Sequence, residues 1–211
     1  RNLLDKSLND THRLLRMRGR PKILMCRSYE EAEEYVTKYR ENILGIISDT
    51  RFPKNGSLDE EAGFKLVNWV RGIEPQMPIM LQSTSEKNAE KAAEIHTHFL
   101  FKKSQTLLGD IREFMVKNFG FGDFVFRLPG GEEITRATDL LEFQRELKRI
   151  PDDSLLYHAS VNHFSNWCAA RGEFQLASIL RPLKISDFQT TGDMRTYLVE
   201  AIDRTRHVQQ K

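Results

Sequence analysis

The sequence has few cysteines, no long apolar stretch and no marked excess of charge of one sign. Its two cysteines, Cys26 and Cys168, lie far apart and match no spacing typical of a metal site or a redox pair. They are typical of reduced thiols, and the start of the chain has no basic-then-apolar leader, so we expect a cytoplasmic protein. No apolar run is long enough to cross a bilayer, and we expect no membrane partner.

The charge is nearly balanced, with 32 Lys and Arg against 30 Asp and Glu side chains and a formal net charge of +2. Such a balance gives no general attraction to nucleic acid. One local basic run contains Arg13, Arg16, Arg18, Arg20 and Lys22. We interpret it as a solvated helix end and connector, since no recognition-helix motif accompanies it. A nucleic-acid partner is therefore not expected.

Apolar strands alternate with amphipathic helices in the first half of the chain. Apolar spacing predicts a helix over residues 3–18, and the run Ile43–Ser48 is typical of a strand covered on both faces. Ser28 followed by Glu31 is a capping box that opens a helix. This alternation predicts an α/β domain with a parallel sheet and helices on both faces. The other predicted strands are 22–26, 78–82 and 98–101, and the other predicted helices start near residues 63, 86 and 104.

Two glycines in the segment Asn118–Gly122 interrupt this pattern, and we place a domain boundary there. The prediction is an α/β domain over residues 1–118 and a second domain over residues 119–211. In the second domain, Pro129-Gly130-Gly131 lies between two apolar runs, which predicts a β-hairpin. Helical spacing dominates the rest, so we expect a β-hairpin followed by a mainly α-helical connector.

Three strands of the first domain end in chemically reactive residue types, which are Asp49, Ser83 and Lys102. The carboxyl ends of parallel strands line the ligand crevice of such a sheet, so we expect these side chains to lie at one edge. A carboxylate is a nucleophile for a phosphoryl group. The ammonium would offset the charge on the phosphoryl oxygens, and the hydroxyl would donate a hydrogen bond to one of them. Magnesium is the cofactor expected, because it binds carboxylates together with phosphate oxygens.

At these positions the chain resembles the response-regulator receiver family. Four ordered segments carry the resemblance: Ile46-Ile47-Ser48-Asp49 with Pro53, Gly63-Phe64-Lys65-Leu66, Pro78 to Thr84, and Phe99-Leu100-Phe101-Lys102. The resemblance implies a flavodoxin-like five-stranded fold in which Asp49 takes phosphate from a phosphohistidine. It also implies that Phe99 is a switch aromatic, and that Asp49 and the backbone carbonyl of Arg51 are magnesium ligands.

The chain departs from the family pattern in three ways. The loop Pro53–Gly63 is longer than usual, either as an extra contact surface or as a surface insertion. Lys103 stands where the family has proline, so we expect a trans peptide bond before it. The largest departure is the lack of a first strand with its acidic, magnesium-binding pair, which Asp5 and Asp10 do not supply. An upstream segment, another chain, or direct pairing of strands 22–26 and 43–48 would fill the gap. Magnesium binding is expected only if the acidic pair is supplied.

A second resemblance covers nearly the whole chain. It is carried by Leu14 to Arg18, Ser48 to Pro53, Asn118 to Arg127, Ser154 to Ser160 and Asn162 to Trp167. These segments resemble the N-terminal region of phosphoenolpyruvate synthase-like or pyruvate phosphate dikinase-like proteins. The resemblance implies a regulatory fragment that is not itself an enzyme and that acts on a downstream enzyme domain. No Walker-type phosphate loop occurs in the sequence.

Two further hypotheses follow from the residues. His158, His163 and Cys168 would suggest a metal site, but their spacing of five does not keep them on one helical face, so we interpret the histidines as structural.

For a phosphoacceptor, the expected phosphodonor is a histidine kinase or a small molecule. The alternative to a phosphoacceptor is a pseudo-receiver. Such a domain would be a docking or oligomerisation scaffold without phosphotransfer. Unpaired strand edges make a homo-oligomer an expected partner.

Overall fold

The computed structural model describes residues 21–209, with side chains up to residue 206. The helix predicted over residues 3–18, Asp5, Asp10 and all of the basic run except Lys22 lie outside the described residues. The described chain divides into two compact units, residues 21–115 and residues 116–209. Within the described residues, no helix has both the length and the apolar character needed to cross a membrane.

The first unit is mixed α/β and contains a small parallel sheet. Its three strands are β1 (Ile46–Asp49), β4 (Ile79–Ser83) and β5 (His98–Phe101). They lie in the order β1-β4-β5, and both strand pairs are parallel. The elements in chain order are α1 (Tyr29–Tyr39), a 3-10 turn (Arg40–Asn42), β1 (Ile46–Asp49), β2 (Phe52–Lys54), β3 (Ser57–Asp59), α2 (Ala62–Ile73), β4 (Ile79–Ser83), α3 (Lys87–Glu94), β5 (His98–Phe101) and α4 (Leu107–Asn118), the last of which runs into the second unit.

The capping box predicted at the start of α1 is present in part, because the Glu31 carboxylate contacts the N–H of Arg27 and not that of the N-cap residue Ser28. The Ser28 hydroxyl accepts a hydrogen bond from the Glu31 backbone N–H at 3.2 Å. The Glu31 carboxylate reaches back and accepts from the Arg27 N–H at 2.6 Å. These bonds satisfy backbone donors that have no partner inside a helix, and they explain why α1 begins where it does.

The core of the first unit joins α1 and α2 to the central strand β4. Apolar side chains of α2, which include Phe64, Val67 and Val70, lie at helical spacing and are almost fully buried. Leu81, in the middle of β4, is also fully buried because β4 has a strand on each side. Burying one such side chain stabilises the folded protein by about 1.5–3 kcal/mol relative to leaving it exposed.

The prediction of a strand over residues 22–26 is wrong. Residues 21–26 belong to no strand, and Leu24 and Met25 are each 46% exposed. The proposed direct pairing with the next strand does not occur, since β1 pairs only with β4 among the described residues. An apolar segment becomes a strand only when a neighbouring strand receives its backbone hydrogen bonds, and the described residues supply no such neighbour for it.

The run Ile43–Ser48 forms a shorter and less buried strand than predicted. The strand begins at Ile46, and of its four residues only Ser48 is buried. Of the strands that the structure describes, only β4 lies beside β1, and three of its four side chains remain partly accessible, so the prediction of a strand covered on both faces is wrong.

The long loop Pro53–Gly63 contains a β-hairpin that the sequence analysis missed. Strands β2 and β3 pair antiparallel around Asn55 and Gly56, whose φ angles are 52° and 75°. A two-residue turn with two positive φ angles is the type that Asn-Gly favours. This dipeptide was the signal that would have identified the hairpin.

The second unit consists of the predicted hairpin followed by helices. Strands β6 (Phe124–Arg127) and β7 (Glu133–Ala137) pair antiparallel, with a register shift near Phe126. Side chains of the hairpin and the helices form an aromatic core in which Phe126, Phe143 and Trp167 are at most 1% exposed. The helices are α5 (Leu140–Leu147), α6 (Asp152–Ser160), α7 (His163–Ala170), α8 (Phe174–Leu180) and α9 (Thr191–Gln209), with a 3-10 turn at Ile185–Asp187.

Candidate functional site

The three side chains predicted to meet at one edge of the sheet do lie at the same strand ends. Asp49 is the last residue of β1 and pairs in register with Gln82 of β4. Ser83 is the last residue of β4 and pairs with Phe101 of β5, and Lys102 follows directly. The Lys102 backbone N–H donates to the Ser83 carbonyl at 2.8 Å, which extends the ladder by one residue.

Asp49 and Lys102 form an ion pair across the width of the sheet. The distance from Lys102 Nζ to Asp49 Oδ1 is 2.6 Å. Their side chains are 33% (Lys102) and 43% (Asp49) exposed, while the Oδ1 atom of Asp49 that faces Lys102 is itself buried. Lys102 follows β5 and Asp49 ends β1, and only the folded sheet brings this cation to this carboxylate. The pair places a cation beside a carboxylate at the carboxyl ends of the parallel strands.

Ser83 is buried and held by hydrogen bonds from the segment that follows it. Its Oγ accepts from the Ser85 N–H at 3.1 Å and from Asn88 Nδ2 at 3.0 Å. Asn88 Nδ2 also donates to Thr50 Oγ1 at 3.0 Å. Sequence reasoning missed both Thr50 and Asn88. The only available signals were that Thr50 follows the strand-end aspartate and that Asn88 opens the helix after β4.

The start of α2 lies against the end of β1, and Gly63 makes this approach possible. The Gly63 N–H donates to the Thr50 carbonyl at 3.0 Å. A Cβ at position 63 would lie only 2.8 Å from the Thr50 Cα, closer than real Cβ atoms come. The absence of a side chain at Gly63 therefore sets how closely helix and strand end approach each other.

Two residues with predicted roles lie near this edge without a contact that defines the role. Phe99 is partly buried in β5, pairs with Leu81 and packs against the core of the first unit. The Arg51 guanidinium is 3.0 Å from Glu60 Oε1 on the surface. The switch role of Phe99 and the magnesium role of the Arg51 carbonyl stay predictions. The peptide bond before Lys103 is trans, as expected.

The described residues do not complete a magnesium site. Asp49 is the one site carboxylate, and its Oδ1 faces Lys102. Among the described residues, no group of three or more His, Cys, Asp or Glu side chains is placed to hold a metal. Magnesium prefers several oxygen ligands, so the described residues alone do not fit it.

His158 and His163 contact each other inside the second unit. The Arg127 N–H donates to His158 Nε2 at 2.9 Å, so the hydrogen of the neutral ring lies on Nδ1. That atom is 2.9 Å from His163 Nδ1 and donates to it. Burial, followed by the neighbouring His163, lowers the pKa of His158 to about 3, and burial lowers the pKa of His163 to about 4.

This arrangement agrees with the structural interpretation of the two histidines. Each shares its Nδ1 with the other, and Nε2 of His158 is occupied by a backbone donor, so these atoms are engaged in protein contacts. Cys168 is fully buried, and burial raises the pKa of its thiol. The spacing argument nevertheless failed to predict that the two rings meet, because Asn162, with φ 56°, separates α6 from α7 and turns the chain.

Comparisons with protein-family models, curated proteins and solved structures found no match to this chain.

Proposed function

We propose that the first unit is a flavodoxin-like receiver module that accepts a phosphoryl group on Asp49. The observation that carries the proposal is the ion pair between Asp49 and Lys102 at the carboxyl ends of parallel strands. A partly exposed carboxylate beside a fixed ammonium, with a hydroxyl at the neighbouring strand end, supports phosphoryl transfer. The magnesium that such transfer uses would require carboxylates beyond those described.

The chemical step is the displacement of a donor from phosphorus. An Asp49 carboxylate oxygen forms a bond to phosphorus while the bond from phosphorus to the donor breaks, and the donor leaves with the bonding electrons. The donor is a phosphohistidine of a histidine kinase or a small acyl phosphate. Lys102 offsets charge on the phosphoryl oxygens, and Ser83 donates a hydrogen bond to one of them.

The product would carry about two negative charges on the phosphoryl group, close to Lys102. We propose that Ser83 and Lys102 reorganise around this charge and that Phe99 follows. The surface formed by α3, β5 and α4 would then change its population of conformations. The second unit would act as a connector to a downstream phosphoenolpyruvate synthase-like enzyme domain, with the described chain itself serving a regulatory role.

Phosphorylation can be tested in the natural polypeptide that contains these 211 residues. The protein is incubated with Mg²⁺ and acetyl phosphate and its intact mass is followed. The expected result is a gain of one phosphoryl group in the wild type and none in Asp49→Asn. A folded wild-type protein that gains no phosphoryl group, and whose NMR spectrum does not respond to beryllofluoride, would exclude the proposal.

The second candidate is a docking or oligomerisation scaffold with the same fold and no phosphotransfer. It is favoured by the single carboxylate at the site and by the edge of β1 that no described strand covers. An unpaired strand edge is a template for pairing with another chain. Sedimentation equilibrium of the wild type and of Asp49→Asn separates the two functions. Self-association that is unchanged by Asp49→Asn and by acetyl phosphate supports the scaffold.

A further inference from the structure

Asn88 is the second residue of α3 and joins the ends of two strands through one amide group. Its Nδ2 donates to Thr50 Oγ1 and to Ser83 Oγ, each at 3.0 Å. A side-chain amide nitrogen has two hydrogens, so each hydroxyl oxygen receives one of them. Thr50 follows β1 and Ser83 ends β4, and both hydroxyl residues are less than 10% exposed.

The hydrogen bonds to Ser83 determine what its hydroxyl group can still do. A hydroxyl oxygen accepts up to two hydrogen bonds and donates one. The Ser83 oxygen accepts from both the Ser85 N–H and Asn88 Nδ2, so both acceptor positions are in use. The remaining capacity of the group is its own hydrogen. Ser83 is thus arranged as a donor, which is the role that an anionic oxygen at this strand end requires.

We infer that Asn88 is a positioning residue for phosphoryl transfer to Asp49. Its amide keeps the Ser83 hydroxyl oriented as a hydrogen-bond donor and ties the first turn of α3 to that hydroxyl. A rearrangement of Ser83 around a phosphoryl group would therefore act directly on α3. This inference rests on the proposed function, and it adds the residue that prepares Ser83 and links it to a helix.

The variants that test this role change the hydrogen bonds that Asn88 and Ser83 can make. Asn88→Ala removes the amide. Asn88→Asp keeps the size but presents only acceptors, so it would take the Ser83 hydrogen instead of leaving it available. Ser83→Ala removes the group through which Asn88 is inferred to act. Asn68→Ala is the matched control, because Asn68 is an exposed asparagine in a helix of the same unit.

The measured quantity is the initial rate of phosphoryl gain from acetyl phosphate in the natural polypeptide with Mg²⁺. Asn88→Ala and Asn88→Asp should each lower the rate by about tenfold, and Asn68→Ala should leave it unchanged. The Ser83→Ala, Asn88→Ala double variant should be no slower than Ser83→Ala alone, because residues that act through one group give non-additive effects. A purely structural contribution of Asn88 would lower the rate additively.

The outcomes separate this inference from the proposed function. If the folded wild type gains no phosphoryl group, both are overturned. If the wild type is phosphorylated but Asn88→Asp reacts at the wild-type rate, or the double variant shows additive losses, only the role of Asn88 is overturned. Should Asn88→Ala fail to fold, the rates of the near-isosteric Asn88→Asp and of its double variant with Ser83→Ala are compared instead.

Discussion

The backbone N–H of Gly63 donates to the carbonyl of Thr50 at 3.0 Å, which joins the first turn of α2 to the end of β1. We expect Gly63→Ala to lower the free energy of unfolding by about 2 kcal/mol, because overpacking forces backbone to move. Urea unfolding followed by circular dichroism measures the change. Gly72→Ala in the same helix is the control. No heavy atom lies within 4 Å of a Cβ built at Gly72, so we expect a change within about 1 kcal/mol. Equal effects at both positions would contradict the close approach at Gly63.

Lys102→Met should slow the phosphorylation of Asp49 while leaving the free energy of unfolding almost unchanged. The ion pair with Asp49 is partly exposed, so its loss should change the free energy of unfolding by less than about 1 kcal/mol. The rate of Asp49 phosphorylation by acetyl phosphate should nevertheless fall by at least about tenfold, since charge on the phosphoryl oxygens would no longer be offset. Lys103→Met removes the same charge from an exposed neighbouring position and should leave the rate close to wild type. Equal rates in the two variants would exclude the role of Lys102.

The buried histidine pair should make the stability of the second unit depend on pH. The pKa of His158 falls to about 3 and that of His163 to about 4, both below the unfolded value of about 6.5. Between these values the unfolded chain binds more protons than the folded one. The free energy of unfolding is therefore not reduced by the two histidines above pH 6.5. It falls as pH falls toward 4, by up to about 1.4 kcal/mol per pH unit for each histidine.

The measurement is urea unfolding between pH 4.5 and 7.5, followed by Trp167 fluorescence in a Trp69→Phe background. His163→Asn should reduce the slope, because one of the two titrating groups is removed. His96→Asn is the control, since His96 is exposed in the first unit and has a positive φ of 49° that asparagine tolerates. A slope that His163→Asn leaves unchanged would show that other groups cause the pH dependence.

Phe143 should dominate the stability of the second unit. Its side chain is fully buried and its ring stacks on Trp167 with centroids 4.8 Å apart. Phe143→Ala should lower the free energy of unfolding by about 3–5 kcal/mol through lost burial and a new cavity. Phe174 is 57% exposed, and we expect Phe174→Ala to cost less than about 1 kcal/mol. Trp167 fluorescence during urea unfolding, again with Trp69→Phe, gives both values, and similar values would contradict the assigned core.

Backbone amide hydrogen exchange should be fast at the edge of β1 that no described strand covers. Ile46 N–H donates to the Pro78 carbonyl at 2.9 Å and Thr50 N–H to the Gln82 carbonyl at 3.2 Å. Alternate residues of a strand face the same neighbour, so the Ile47 N–H faces away from β4. Its exchange, measured by NMR, should be faster than that of Leu81 in the central strand. Equal protection at the two amides would show that a strand outside the described residues, or from another chain, covers this edge.

Local patterns were sufficient for much of the fold. Ser28 with Glu31 predicted the start of α1, and Pro129-Gly130-Gly131 predicted the second hairpin, because caps and turns depend on a few adjacent residues. The apolar runs that end at Ser83 and Lys102 predicted β4 and β5 within about a residue. Asn55-Gly56 carries an equally local signal for the hairpin of β2 and β3.

Features that depend on partners distant in sequence could not be predicted from local patterns. Residues 22–26 have an apolar pattern, but the described part of the chain offers them no neighbouring strand, and they form none. The bonds from Asn88 to Thr50 and Ser83, and the contact between His158 and His163, depend on how separate segments pack. The positions of Asp49, Ser83 and Lys102 at strand ends could be predicted from sequence, because apolar periodicity is local. The folded sheet decided that Lys102 reaches Asp49, because a distance across strands depends on strand order and register.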